Sequence, residues 1–366
     1  MQPKSLVKRP SAWRVSSLRR EDVSQLEKLT ALIYGTMWKR AGNADYYTWK
    51  FFSEGLPKLN ARVARQNDSI VGYQASYHRK FRFGDRISWS TELGDSMTHP
   101  DYRRKGMWGQ ITGQVIDEAL GRNFLPIFGF PNPFSYRGYI SKLGMSHFFD
   151  VWRLGLPLSS RAFSLNRRIP NAMCGILFTL SCIVRSVLIG IQNKFYRKMK
   201  IECDVSVHEW VDNLWAKEST RDEAGVIKDG AYFRRRFVLN PDDYSFYGAR
   251  DEEGKPAGLM VTKVRVMAPK MVFGFVAETL IPCRRFDVFF RLLLEAEKDF
   301  KRKGVILVDA WTTAHPFYLR GLLAFGFLPM GKLPFILPAS QAKVLRSSGW
   351  GLSKRWILTM ADSDNI

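Results

Sequence analysis

The strongest constraint on this 366-residue chain is that it repeats itself. DYYTWKFF (residues 45–52) returns as AYFRRRFV (residues 231–238), so Tyr46 and Phe51 stand 186 residues before Tyr232 and Phe237. Val71-Gly72-Tyr73 and Ala257-Gly258-Leu259 keep the same offset. NPFSYRG (132–138) returns as HPFYLRG (315–321) at an offset of 183, and each is followed by a glycine, Gly144 or Gly326. Three markers in the same order at nearly constant spacing predict two copies of one fold. The length suits two domains of ordinary size.

Within each copy the apolar period switches between helix and strand. VSQLEKLTALIYGTMW (23–38) and MWGQITGQVIDEAL (107–120) have helical spacing. SIVGYQASYHRKFRF (69–83) alternates as a strand, and Gly84-Asp85 predicts a hairpin turn into ISWSTELGDSMT (87–98). FLPIFGF (124–130) reads as a short strand and SYRGYISKL (135–143) as a helix. In the second copy MVFGFVAETL and VILVDAW read as strands, and FDVFFRLLLEAEKDFKR and HPFYLRGLLAF as helices. Between the copies, Ala172 to Ile191 is a run of twenty residues with one charge, Arg185. A connector helix packed on protein is the first expectation. A helix lying on an anionic membrane, through residues 169–200, is the second. A span is the least favoured, since the arginine would cost about 2.5–3.5 kcal/mol in mid-membrane.

The stretch from Ser90 to Leu120 carries the chemistry. A strand ends at a turn, His99-Pro100-Asp101, and a basic loop, RRKGMWG, opens a helix. The first N–H groups of a helix lack internal partners and sit at its positive end. Gly106 lets a ligand approach the backbone, and Arg103, Arg104 and Lys105 add charge. A diphosphate suits such a place.

These residues resemble the GNAT acyltransferase superfamily, whose R/Q-x-x-G-x-G/A motif holds the pyrophosphate of acetyl-CoA on backbone amides. Arg103, Gly106 and Trp108 occupy the motif positions, with Met107 and Gly109 beside them. Trp108 departs from the small residue of the pattern. The lead-in MTHPDYRRKG, the opening LRREDVSQLEKL and the ending NPFSYRGYISKLGM resemble the same family, over about residues 14–150 and more weakly 205–360. The resemblance implies an α/β (α+β) fold of two GNAT-like domains, each a mixed, mostly antiparallel sheet flanked by helices. It divides the chain into a basic tail (1–13), a GNAT domain with the acyl-CoA motif (14–155), an apolar helical connector (156–204) and a degenerate copy (205–362). It implies acetyl-CoA as acyl donor and direct attack by an amine or hydroxyl on the thioester. Counting fourteen residues back from Gly106 gives Glu92 as general base, with Asp95 as alternate. On a regular strand the two have opposite parity, so one should face the cleft. The resemblance implies a tyrosine acid: counting from Asn132 gives Tyr139, although the segment is one residue longer and counting back from Gly144 gives Ile140, and Tyr136, on the same helix face at i, i+3, is the alternate. Met97 and Thr98 would pair with the pantetheine arm, and Asn132 would contact the donor.

The remaining sequence narrows the alternatives. Fifty-six basic against 34 acidic residues give +22, which favours anionic partners and argues against polycationic ones. Cys174, Cys182, Cys203 and Cys283 form no CxxC pair, and the five histidines have no ligand spacing, so neither metal nor disulfide is expected. The start has no apolar signal region, which suggests a cytoplasmic protein, with a peripheral place at the inner face of the membrane left open. The second copy has Arg284 and Arg285 but no loop glycine, and should shape the acceptor cleft rather than bind a donor. Similar tandem chains linked to surface-polysaccharide assembly suggest an amino sugar or glycan precursor as acceptor. Two readings compete: an aminoacyl-tRNA-dependent transferase of the same tandem type, for which tRNA would be a partner, and a non-catalytic CoA-sensing or nucleic-acid-binding module.

Overall fold

The computed structural model describes residues 13–35, 44–52, 61–165, 169–195, 199–203, 205, 207–218, 222–268 and 271–363. Residues 1–12 of the basic tail and 36–38 of the first expected helix lie outside the described residues. Strands β1 (Arg14–Ser17), β2 (Ala61–Gln66), β3 (Ser69–Phe83), β4 (Arg86–Thr98) and β5 (Ile127–Phe128) form a sheet in that order, antiparallel as far as β4, with β5 parallel to it. Helices α1 (Val23–Tyr34) and α2 (Ala44–Phe52) cover one face. Helices α3 (Met107–Gly121) and α4 (Pro133–Lys142) cover the other. The alternation of β3 makes this possible: Tyr73, Ala75 and Tyr77 enter the core under α1 and α2, while Gln74 accepts a hydrogen bond from Thr112 of α3.

The chain continues through β6 (Met145–Pro157), α5 (Arg161–Ser164), α6 (Asn171–Phe195), β7 (Lys200–Cys203), α7 (Val207–Glu218), β8 (Ala224–Val226) and α8 (Gly230–Phe233). A π-helical turn carries α8 on to Val238. Strands β9 (Tyr244–Arg250), β10 (Pro256–Ala268) and β11 (Met271–Leu280) precede α9 (Phe286–Arg302), β12 (Leu307–Thr312), α10 (Pro316–Phe325), β13 (Leu328–Pro338), α11 (Ala339–Ser347) and β14 (Trp356–Ile357). The second sheet runs β13-β6-β12-β11-β10-β9-β7. The two sheets meet where Gly129 and Ile336 exchange backbone hydrogen bonds.

The copies therefore trade strands. β6 follows the first copy in sequence but lies between β12 and β13 of the second. β8 follows α7, yet it pairs with β3, and β14 pairs with β8. The boundary at residue 155 thus falls inside a strand of the second sheet, and β7 begins before residue 205. The apolar core between the sheets is common property: Phe149 stacks on Phe335 at 4.8 Å, and the fully buried Trp356 lies 5.5 Å from Phe81.

The repeat is real in three dimensions. β3-β4-α3-β5-α4 recurs as β10-β11-α9-β12-α10, each with a parallel pair at its centre. The glycines 186 residues apart do the same work. A Cβ on Gly72 would lie 2.5 Å from the Met107 sulfur of α3, and one on Gly258 would lie 2.5 Å from Val288 of α9. Both let a helix lie close on its sheet.

A buried charged cluster pins β11 to the C-terminal turn. Lys228 donates to Glu278 at 2.7 Å and to Thr359 at 3.2 Å, and stands 3.6 Å from Asp362. Burial works against its charge, yet Asp362 and Glu278 raise its pKa above the ordinary lysine value. Lys228→Met would leave Glu278 and Asp362 buried without their cation. Such a change costs about 3–5 kcal/mol, to be read as a lowered midpoint in chemical denaturation.

Helix α6 packs on the protein along one face only. Ile176, Leu180, Ile183, Val184 and Val187 are each more than half exposed. On the opposite face Arg185 pairs with Glu297 of α9 and lies over the Phe325 ring at 5.3 Å. Among the flanking basic residues, Arg167, Arg168, Arg197 and Lys198 lie outside the described residues.

Candidate active site

β4 pairs with β5 only at Thr91↔Ile127 and Glu92↔Phe128. Beyond Glu92 the two strands part, among the described residues, and the edge from Leu93 to Thr98 opens towards α3 and α4. Met97 and Thr98 lie on this segment and keep their pairing with Tyr73 and Gly72 of β3 on its other side. Met97 is buried under α1, and the Thr98 carbonyl accepts from Arg103 Nε at 3.4 Å.

Glu92 and Asp95 do not divide between the two faces as strand parity predicts. Asp95 has φ 33°, and the β3–β4 register slips there, so that Gly94 faces Ala75 and Ser96 faces Gln74. This bulge inserts one residue and returns Asp95 to the Glu92 face. Glu92, almost fully buried, accepts from Arg79 Nη2 at 2.8 Å. Asp95 accepts from the Tyr73 hydroxyl at 3.1 Å and pairs with the buried ammonium of Lys50.

At the end of β4 the chain turns through a short 3-10 helix capped by His99, whose ring accepts from the Asp101 amide. Arg103, Arg104 and Lys105 are exposed. Gly106 is the N-cap of α3 at φ 86°, with open space where a Cβ would stand and no side chain capping the helix. The amides of Met107, Trp108 and Gly109 therefore begin the helix without internal partners. Met107 itself is buried against β3. The Trp108 ring turns away from the loop onto α4: it meets Tyr139 edge-on at 5.0 Å and occupies the space beside Gly138. The bulky residue in the motif thus leaves the amides uncovered while filling the gap between α3 and α4. Tyr139 is buried there, and burial, then the charge of Glu92, raise its pKa well above the usual phenol value. Tyr136 is more open and lies 3.3 Å from His147 Nδ1. The Asn132 side chain accepts from the amides of Phe134 and Ser135 and so caps α4.

The second copy closes the corresponding place. Arg284, at φ 51°, folds inward and pairs with Glu218 at 2.5 Å and with Glu223, which also meets His315 at 2.8 Å. Its positive charge is met by the chain's own carboxylates.

Between the copies lies a cavity of about 210 Å³. Trp49 and Lys50 of α2, Tyr77 and Arg79 of β3, and Tyr232 and Arg235 of α8 and its turn are among its walls. Trp49 and Arg235 are repeat equivalents, and they touch: the indole donates to the Arg235 carbonyl at 2.9 Å. The sequence reading missed Lys50, Arg79 and Arg235. The signal was present in the segments used only to detect the repeat, since Lys50 aligns with Arg236 and Trp49 with Arg235 at the 186-residue offset.

Residues 14–147 match the family model of the acetyltransferase (GNAT) domain. The whole chain shares the fold of a tandem GNAT protein. A tandem GNAT protein from the clavulanic acid biosynthesis pathway superposes with TM-score 0.54 at 14% identity, over 88% of this chain and 97% of that one. Saccharomyces cerevisiae N-myristoyltransferase with bound myristoyl-CoA gives TM-score 0.62 at 12% identity, over 92% and 86%. A probable N-acyltransferase from Enterococcus faecalis V583 gives 0.57 at 12% identity, over 89% and 72%. No curated protein matches the sequence.

Proposed function

We propose that this protein is an acyl-CoA-dependent N- or O-acyltransferase with acetyl-CoA as donor. The observation that carries the reading is the opened N-terminus of α3. Left-handed Gly106 exposes a row of unpaired amides beside three cations, at the end of a strand that has just parted from its neighbour. That arrangement offers donors to a diphosphate and a free strand edge to the amide-bearing arm of CoA. The acetyl group is proposed because the matched family model is that of an acetyltransferase domain. Glu92 stands where the strands part and serves as base, and Tyr139, kept protonated by burial, serves as proton donor to the leaving thiolate. The acceptor is an amine or hydroxyl on a sugar or glycan precursor, entering through the cavity between the copies. Calorimetry of the full chain with acetyl-CoA tests the reading. Micromolar binding supports it, and no binding by the folded protein overturns it. In that event aminoacyl-tRNA becomes the donor to test, because a net charge of +22 suits a tRNA partner.

We also propose that α6 rests on an anionic membrane surface. Its apolar face spans about 20 Å at 1.5 Å per residue, and Arg185 ties the opposite face to α9. A spanning helix would have to break that ion pair, whereas one lying in the interface keeps it. Ile176→Asp with Ile183→Asp is expected to weaken sedimentation with phosphatidylglycerol vesicles at least about tenfold without lowering the melting temperature. Unchanged sedimentation would remove the membrane from the account.

A further inference from the structure

We propose that the cavity between the two copies is a site for a ligand of one sugar-sized ring bearing a single carboxylate or phosphate, with Arg235 as the partner of the anion. The identity of this ligand as the acceptor rests on the acyltransferase reading, whereas its binding does not.

The charges around the cavity are unbalanced. Lys50, Arg79, Lys80, Arg235 and Arg236 line it, against one carboxylate, Asp229. Three of the five cations are committed elsewhere. Lys50 pairs with Asp95, Arg79 with Glu92 and the Asp362 carbonyl, and Arg236 with the carbonyls of Ala361 and Ser363. Asp229 accepts from the Tyr232 amide as the cap of α8.

Arg235 is different. Its Nη2 reaches the Lys50 carbonyl at a long 3.5 Å, and its Nε is buried with no hydrogen-bond partner. Among the described residues no carboxylate pairs with it. Burial, then the like charges of Arg79 and Arg236, bring its pKa down to about 10, so it stays charged at neutral pH while gaining from any anion that arrives. A buried guanidinium with an unsatisfied donor is costly unless something completes it, and a planar carboxylate or phosphate does so with two hydrogen bonds.

The walls fix the size and shape of the guest. Trp49, Tyr77, Trp89 and Tyr232 give the cavity flat apolar sides. A cavity of about 150 Å³ accepts a benzene ring, so 210 Å³ suits one ring with one substituent. Arg79 links the site to the chemistry, because the same side chain lines the cavity and holds Glu92. An anion on Arg235 would leave the rest of the ring to extend towards that carboxylate. Both copies contribute to this site, which explains why the repeat segments face one another here.

The test is calorimetry of the full chain, without acyl-CoA, using three probes: glucosamine 6-phosphate, an aminouronic acid and uncharged glucosamine. Wild type is expected to bind at least one charged probe about tenfold or more tightly than glucosamine. The phosphate and carboxylate arms tell which anion is preferred. Arg235→Gln should abolish the difference while acetyl-CoA binding at the α3 loop stays at the wild-type level. Equal affinity for all three probes, or an Arg235→Gln variant that keeps the preference, overturns the proposal. If Arg235→Gln does not fold, Lys80→Gln at the exposed rim decides. It should weaken the charged probe by about threefold, in a salt-dependent manner, and no change there is also an overturning result. Loss of acetyl-CoA binding with anion binding intact would sink the acyltransferase reading and leave this site standing.

Discussion

Gly106→Asp should abolish acetyl-CoA binding, raising Kd by roughly a thousandfold. Two effects add. The glycine sits at φ 86°, where a side chain costs about 1–2 kcal/mol. The new carboxylate would also face the incoming diphosphate, and two like charges about 4 Å apart repel by about 4 kcal/mol at the effective dielectric of a protein surface, which is roughly a thousandfold in affinity. Gly106→Ala separates the two. Nothing lies within 4 Å of a Cβ at this position, so alanine brings the backbone cost without a clash or a charge. Both variants should therefore lose similar stability, read as similar drops in melting temperature, while only the aspartate loses the ligand. Equal loss of binding in both would mean that the loop works through its conformation. Retained binding in Gly106→Asp would place the donor elsewhere.

The parts of this fold that were legible in the sequence are those written in local periodicity. β3 and its hairpin with β4 follow from strict alternation and Gly84-Asp85. β11 and α9 fall where their patterns begin and end. The duplication shows in aromatic residues because each copy needs the same large side chains between its sheet and its helix. FLPIFGF, by contrast, pairs regularly with β4 only at Ile127 and Phe128, because Gly129 leaves β4 to bond Ile336 of the second sheet.

What was hidden depends on partners distant in the chain. Nothing in the local pattern of β6 says that it will pair with β12 and β13 rather than β5, since a buried strand carries the same signal in either sheet. The bulge at Asp95 was equally invisible, because a parity argument assumes a regular strand. Trp108 looked like an obstruction in a phosphate loop, and its ring is accommodated by Gly138 on another helix. The cavity cations were missed for the same reason: Lys50 and Arg235 come together only when the two repeat segments meet. Trp49 touches its own equivalent, Arg235, where the two segments meet.

The two carboxylates of β4 should separate by the kinetic constant they move. Glu92 is the last residue of β4 still paired to β5, and so stands where the donor thioester must meet the acceptor. Asp95 is the bulge residue and accepts from Tyr73 and Lys50, a lysine that also lines the acceptor cavity. Glu92→Gln is therefore expected to lower kcat by about 10²–10⁴-fold, the usual worth of a positioned base, with little change in KM for acetyl-CoA. Asp95→Asn removes the counter-charge of a buried ammonium that faces the acceptor. It should act mainly on the acceptor KM and on stability, with kcat falling less than about tenfold. If the larger fall in kcat belongs to Asp95→Asn, the base is Asp95 and Glu92 is the ion-pair partner that positions Arg79. The second copy supplies the control. Glu278 lies opposite Val261 of β10, two residues beyond the last β11–β12 pair, where Lys228, Thr359 and Tyr232 surround it in a sealed core. Glu278→Gln should cost stability and leave kcat of the surviving folded protein unchanged, because this buried glutamate of β11 is held by the chain's own groups and kept from any substrate.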